Sequence, residues 1–456
     1  MEKVLASQKN WDENLLSKDM GIQEKWQNLS YDQLDSSWSD GIIPGDINDF
    51  DDDYGFIWLK KEVVLSKAQA DLFNSKKTNL WCGTIVDADT VFVNGVECGQ
   101  TGYLYPPRRY EIAKGILHQG SNTVTIRVLK RGACPVRFYK EKPYCIFTDD
   151  YFIKPAVCRN IDYPVYESDK KTKDDFVIDL TGNWKKKIGC KVSSVRADEV
   201  FFEWEPSALY NAMLGPTFNY AINGALWYQG ESDAGRADEY KDLLLNLMKM
   251  WREKYIYSPK DMNVIVVQLP NWAEGLSKEE LNYKSDWAML RAAQSQAVEE
   301  DGHAGLSVMI DAGEWNDLHP EKKLVVGTRS AYEALRLTYK KDFNKAPALE
   351  YCERKGKVFT VRMNCQKSCL KAFAVQNEIA DFNKETTLVY GFAFADKDGK
   401  ILEVQGKLIS DTDIEIELQE QMRNPVELRY LWENNPWIVN LYNEDKLPAL
   451  PFRVML

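Results

Sequence analysis

At 456 residues the chain is longer than a single hydrophobic core serves, and three or more structural parts are expected. Hydrophobic residues make up 44% and charged residues 28%, as in ordinary globular proteins, and no apolar run nears the ~20 residues of a membrane helix, which argues against a membrane protein. The net charge of −11, with Lys and Arg scattered along the chain, argues against a nucleic-acid partner.

The opening MEKVLASQKNWDENLLSKDMG has early acidic residues and no apolar core of signal-peptide length, so it does not read as a signal peptide. This leaves a cytoplasmic protein or a chain whose true beginning is absent. Trp11, Leu15, Leu16, Trp26 and Leu29 recur at roughly helical spacing, predicting a helical N-terminal segment over 1–50. From Trp58 short alternating runs follow, FIWLKKEVVL, TNLWCGTI, DTVFVNGVECG and NTVTIRVLK, and predict a β-sandwich over 51–165. Asn94-Gly95 between VFV and VECG predicts a hairpin, because both turn positions of the tight hairpin need positive φ.

Beyond about 200, apolar strands at 222–228, 263–269 and 306–310 alternate with helices near 237–254 and 284–299, and a third helix follows Pro320. Such alternation predicts a parallel sheet covered by helices, over 195–342. KVFTVRM, TTLVYGFAFA and IEIELQ then return to β texture, predicting a closing β-domain over 345–456. Nine cysteines without a CxxC pair, and only His118, His303 and His319 as histidines, give no metal-ligand pattern, so no metal or other cofactor is expected.

Two segments carry chemistry, and both follow strands of the predicted parallel sheet, where open α/β sheets hold their ligands. In WYQGESDAG the residues Gln229, Gly230, Glu231 and Asp233 crowd a strand-to-helix turn, where free N–H groups favour negative charge and suit an oxyanion. The plainer reading is that Ser232 or Asp233 caps the next helix. In GEWNDLHP, Asp317 precedes His319 by two residues, so the carboxylate or a nearby backbone group can fix the imidazole tautomer for general-base work. A lone surface histidine is more often inert. Its place at the end of a strand of the same sheet raises its standing.

YNAMLGPTFNYAINGALWYQGESDAG, LMKMWREKY, VIVVQLP, WAMLRAAQ and DAGEWNDLHPEKKLVVGTR together resemble the sialate O-acetylesterases and related acetylxylan esterases of the SGNH hydrolase type. DADTVFVNGVECGQTGYLYPPRRYEI with GSNTVTIRV resembles the galactose-binding-like jelly roll that interrupts the esterase domain in that family, and VELRYLWENNPWIVNLYNEDKLPALPF resembles its ending. The resemblance implies an α/β plus β protein: a partial SGNH, flavodoxin-like parallel sheet joined to a jelly-roll sandwich and a C-terminal β-domain. It implies His319 as catalytic base, Asp317 as its partner, and Gln229, Gly230, Glu231 and Asp233 lining the site. It further implies an O-acetylated sugar or glycan as substrate and an extracellular or periplasmic location.

The family's nucleophile lies in a GQSNM-type motif after the first strand, and this sequence has no such motif. The chain is therefore expected to start inside the family pattern, to hold the last three strands of the sheet, and to be inactive alone. The strand ending at Trp227-Tyr228 is expected to have an unpaired edge, covered by the N-terminal helix or used for association. The QGESD turn and His319 are expected at one cleft, with Gln229 or Glu231 within roughly 10 Å of the imidazole, because neighbouring strands lie about 5 Å apart. Two other readings compete. One is a non-catalytic carbohydrate-binding protein. The other is a glycosidase using Glu231 and Asp233 as its carboxylate pair.

Overall fold

A computed structural model describes residues 2–140, 142–148, 154–155, 166–167, 177–197, 205–272, 286–314, 318–320, 322–376, 379–422 and 424–456. The chain forms two compact units, one of Met1–Ala156 with Asp162–Trp204, the other of Val157–Ile161 with Glu205–Leu456.

The first unit begins with helices α1 (Glu2–Ser17) and α2 (Met20–Gln23). Strands β1 (Ser39–Ile43), β2 (Gly45–Ile47) and β3 (Tyr54–Leu65) lead to helix α3 (Lys67–Ser75). Next come β4 (Thr78–Cys82), β5 (Ile85–Val86), β6 (Ala88–Val93), β7 (Val96–Thr101), β8 (Arg109–Ile112), β9 (Gly120–Lys130), β10 (Val136–Phe138) and β11 (Tyr144–Thr148). A short ribbon of β12 (Lys154–Pro155) and β13 (Tyr166–Glu167) precedes β14 (Ile178–Asp179) and β15 (Gly182–Val192). These strands build a six-stranded sheet in the order β1-β15-β3-β9-β6-β7, a four-stranded sheet β14-β11-β4-β8 and a three-stranded sheet β2-β10-β5, all antiparallel. The Asn94-Gly95 hairpin forms as expected, Val93 facing Val96 with φ of 49° and 81° at the two turn residues.

Strand β3 is buried on both faces, which an alternating pattern alone does not foretell. Ile57 and Leu59 point into the main sandwich core, whereas Trp58 joins Trp26, Trp38 and Phe92, and Phe56 joins Trp11 and Leu15. The N-terminal segment therefore covers the outer face of the six-stranded sheet. Buried Asp19 fastens it there, accepting hydrogen bonds from the Gly21 N–H, Trp58 Nε1 and Arg127 Nε at 2.7–3.0 Å. Aromatic area is covered and the buried carboxylate is satisfied by the same contact.

In the second unit, β16 (Gly224–Trp227), β17 (Asn263–Val267) and β18 (Ala304–Ser307) form the expected parallel sheet, in chain order, with helices α4 (Ala237–Lys254), α5 (Asp286–Asp301) and α6 (Lys323–Leu337). Strand β18 lies earlier than the 306–310 expected from the sequence. Val308 and Ile310 are buried without joining the ladder, packing instead into the core of the β-rich part that follows, with Phe359 and Val361. Burial, not strand pairing, accounts for their apolar character.

That part contains β19 (Ala348–Lys355), β20 (Val358–Asn364), β21 (Leu370–Gln376), β22 (Ile379–Thr386), β23 (Leu388–Ala395), β24 (Ile401–Leu408), β25 (Asp413–Glu417), β26 (Glu427–Tyr430), β27 (Leu441–Asn443) and β28 (Phe452–Met455). Seven of these strands form an antiparallel sheet, β19-β20-β25-β24-β23-β26-β28, and three form a second, β22-β21-β27. The molecule is thus a mixed α/β protein with one parallel sheet and several antiparallel ones.

Candidate active site

In the parallel sheet Trp227 stands opposite Val266, and Val266 opposite Leu306. The loops that leave the carboxyl ends of β16, β17 and β18 consequently emerge side by side, about 5 Å from strand to strand.

The first loop is a closed hydrogen-bonded turn. Gln229 Nε2 donates to Asp233 Oδ2 at 2.9 Å, and Gln294 Nε2 donates to the Gln229 carbonyl at 3.2 Å. The Tyr240 hydroxyl lies 2.8 Å from that carbonyl and 3.2 Å from Gln229 Oε1, while accepting from Trp227 Nε1 at 3.1 Å. Gly230 has φ of 148°, and a Cβ there would lie 2.7 Å from Leu290 Cδ2, so space and conformation both demand glycine. Its N–H donates to Glu231 Oε2 at 2.9 Å. The amide expected to be open to an oxyanion is thus held by a carboxylate in this state.

Neither Ser232 nor Asp233 caps the helix that follows. A 3-10 turn over Glu231–Arg236 precedes α4, whose N-cap Arg236 makes no side-chain capping bond. Asp233 instead receives Arg236 Nη2 at 2.8 Å on the oxygen not used by Gln229. Tyr240→Phe removes the hydroxyl on which the Gln229 carbonyl and Trp227 Nε1 converge. A loss of about 1–2 kcal/mol is expected for such a group in chemical denaturation. Unchanged stability would show that Gln294 alone suffices to hold the turn.

The loop after β18 is held at its base. The Asp311 carboxylate accepts two hydrogen bonds from Arg329, at 2.5 and 2.8 Å, and a third from the Tyr442 hydroxyl at 3.1 Å. Asn271, on the loop after β17, accepts from the Gly313 N–H at 2.8 Å and donates to Asn435 Oδ1 at 2.6 Å. His319 is exposed, and Asp317 lies outside the described residues. Leu318, beside His319, packs into the cluster that includes Ala234, Tyr240, Trp227 and Trp287. Tyr228 packs with Val267, Met309, Ala312 and Val325, and Lys323 places its ammonium 5.5 Å from the Tyr228 ring centroid. Burial, reinforced by the Glu231 carboxylate, pushes the Tyr228 hydroxyl up to about 12.

Gln229, Gly230, Glu231 and Asp233 thus form one unit, and neighbours of His319 pack against the cores that carry it. Tyr240, Gln294, Asp311, Arg329 and Tyr442 were not anticipated as participants. Gln294, Asp311, Arg329 and Tyr442 lie within the runs WAMLRAAQ, DAGEWNDLHPEKKLVVGTR and VELRYLWENNPWIVNLYNEDKLPALPF, whereas Tyr240 sits in sequence that reads as ordinary helix. Among the described residues no group of three or more His, Cys, Asp or Glu is placed to hold a metal ion.

No curated protein matches the chain. Among solved structures, a carbohydrate acetylesterase from Xanthomonas citri aligns over 86% of this chain and 97% of its own, at 19% identity and a TM-score of 0.48. A β-glucuronidase from Ruminococcus gnavus aligns over 38% of this chain and 26% of its own, at 15% identity and a TM-score of 0.22. A β-glucuronidase of glycoside hydrolase family 2 aligns over 24% and 13%, at 22% identity and a TM-score of 0.20. These overlaps are too loose to bear on the site. The segment 182–321 contains all three parallel strands, the Gln229–Asp233 turn and His319, and over these residues the chain matches the family described as carbohydrate esterase, sialic acid-specific acetylesterase.

Proposed function

We propose that the protein serves the removal of O-acetyl groups from sialic acid or a related glycan, with His319 as general base, Asp317 as its orienting partner, and Gln229, Gly230, Glu231 and Asp233 lining the site. The observation that carries this reading is the shared carboxyl edge of one parallel sheet. The turn after β16 and the helix that follows the His319 loop meet there, at the Tyr228–Lys323 contact.

Serine-type acyl transfer needs a nucleophile, a base for its proton and donors for the oxyanion. An exposed imidazole is accessible to an incoming hydroxyl, and a carboxylate two residues before it suits the tautomer-fixing role. At the turn, an acyl oxyanion would take the Gly230 N–H from the Glu231 carboxylate, exchanging one negative group for another. No GQSNM-type serine is present in these 456 residues, so the proposed reading assigns no nucleophile within this chain. We therefore assign the chain little or no hydrolysis by itself.

Among the described residues β16 pairs on one side only, with β17, and Leu226 is 54% exposed. Such an edge offers unpaired N–H and C=O groups beside apolar side chains, and association through it belongs to the same proposal. So does a division into a jelly-roll galactose-binding-like domain over 51–165, the esterase portion over 195–342 and a β-domain over 345–456.

A carbohydrate-binding protein without chemistry is the second reading. Isothermal titration of the full chain with O-acetylated and de-acetylated sialic acid separates the two. The esterase reading expects the acetylated sugar to bind more tightly and Gln229→Ala to weaken it about 10-fold, as for one lost hydrogen bond. Equal affinity for both sugars favours the binding protein. No binding of either sugar refutes both.

A further inference from the structure

We infer that the C-terminal β-domain carries a second carbohydrate site, a groove for a neutral oligosaccharide, none of whose lining residues belongs to the Gln229–Asp233 turn or the His319 loop. The groove has a volume of about 970 Å³ and is lined by residues of β23, β24, β25 and the 431–438 segment. Ligand pockets run from roughly 300 to 1,000 Å³, so this one is large enough for several sugar rings.

Its chemistry follows from strand alternation. Along β24, Glu403, Gln405 and Lys407 are exposed, whereas Val404 and Gly406 are buried; along β25, Glu415 and Glu417 are exposed on either side of buried Ile416. Two polar rows therefore lie on one face, with Lys407 directly opposite Glu415. An unbroken sheet would present them on a flat surface.

A bulge in β23 breaks that flatness. Pairing with β24 jumps from Val389–Gly406 to Phe392–Val404, so Tyr390 and Gly391 together face Gln405. Gly391 has φ of 89°, and a Cβ on it would lie 2.4 Å from Leu431 Cδ2, so the bulge and the following wall need glycine there. The Leu431 N–H donates to the Gly391 carbonyl at 2.8 Å, and the Tyr390 N–H donates to Asn440 Oδ1 at 3.1 Å. The segment between them is held by buried Arg291, whose guanidinium donates to the carbonyls of Glu433 and Asn434. The wall is thus built before any ligand arrives, which lowers the ordering cost of binding.

The lining favours uncharged, hydroxyl-rich ligands. Tyr390 is half-buried and lines the groove, and an aromatic ring suits packing against sugar C–H groups. The Gln405 amide both donates and accepts, and the Glu415 and Glu417 carboxylates accept from hydroxyls. Among the described lining residues Glu403, Glu415 and Glu417 outnumber the ammonium of Lys407, and Glu433 acts on Arg291, so the lining disfavours an anionic sugar. Three of these acids are spread along two rows and Glu433 lies on the wall, and no described group of three converges as a metal site.

The test is isothermal titration of the full chain with xylohexaose, cellohexaose and mannohexaose, with sialyllactose and spermine as competitors. These hexasaccharides carry no acetyl ester and no carboxylate, so the result stands apart from the esterase reading. At least one is expected to bind, about 10-fold more weakly to Tyr390→Ala and several-fold more weakly to Gln405→Ala, with neither competitor displacing it. Both positions are away from the core, so the variants should keep their near-UV circular dichroism. Failure of all three hexasaccharides to bind, binding that both variants leave unchanged, or displacement by spermine overturns the proposal.

Discussion

Arg108→Ala is expected to destabilise the first unit by about 3–5 kcal/mol, the range for leaving a buried charge without its partner. Arg108 and Asp89 are both fully buried at their side chains, with Arg108 Nε 2.5 Å from Asp89 Oδ1. The Tyr110 hydroxyl donates to the second oxygen of Asp89 at 2.7 Å. Arg108 also donates to the carbonyls of Ile85, Tyr103, Leu104 and Pro106 at 2.5–3.1 Å, which fixes the segment between β7 and β8. Burial raises the Asp89 carboxyl, and the arginine works against that rise. Truncation leaves the carboxylate without its counter-charge and strips the four carbonyls of a donor in one step. Arg108→Lys should recover little, because a compact ammonium cannot reproduce the planar fork. Hydrogen exchange of the β6 and β9 amides during denaturation reports on this unit. A loss below about 1 kcal/mol in either variant would mean that the surrounding packing, not the guanidinium, holds it.

Periodicity and turn chemistry were the legible parts of this fold. Asn94-Gly95 specified its hairpin locally, and the amphipathic run over 237–254 became α4 with the expected bounds, since neither depends on distant contacts. What escaped depended on long-range partners. Phe56 and Trp58 read as part of one strand, yet they face the N-terminal segment, more than thirty residues away in the case of Asp19 and Trp58. Val308 and Ile310 read as strand because they are apolar, but their burial is supplied by the C-terminal β-strands. The same holds for the site. Gln229, Gly230, Glu231 and Asp233 were visible as a dense polar turn, whereas Tyr240 and the Asp311–Arg329–Tyr442 anchor become visible only when the chain is folded. Asp317 lies outside the described residues, and its pairing with His319 remains part of the proposal.

The second large effect concerns catalysis. Triad groups act as a unit, and losing the nucleophile alone forfeits about six orders of magnitude in serine hydrolases. On the proposed reading, in which this chain holds the base but no nucleophile, it should hydrolyse p-nitrophenyl acetate no faster than its own His319→Ala variant. Ester hydrolysis by a stray lysine or histidine would be shared by both proteins, so the comparison matters more than the absolute rate.

The most direct measurement combines that comparison with a fluorophosphonate probe, which labels only an activated serine, followed by peptide mapping. The account predicts no stoichiometric label on any serine and no acetate release from O-acetylated sialic acid that distinguishes the natural chain from His319→Ala. Stoichiometric labelling of one serine, for instance Ser232 beside Glu231, together with turnover that vanishes in His319→Ala, would contradict it and make the chain a complete esterase.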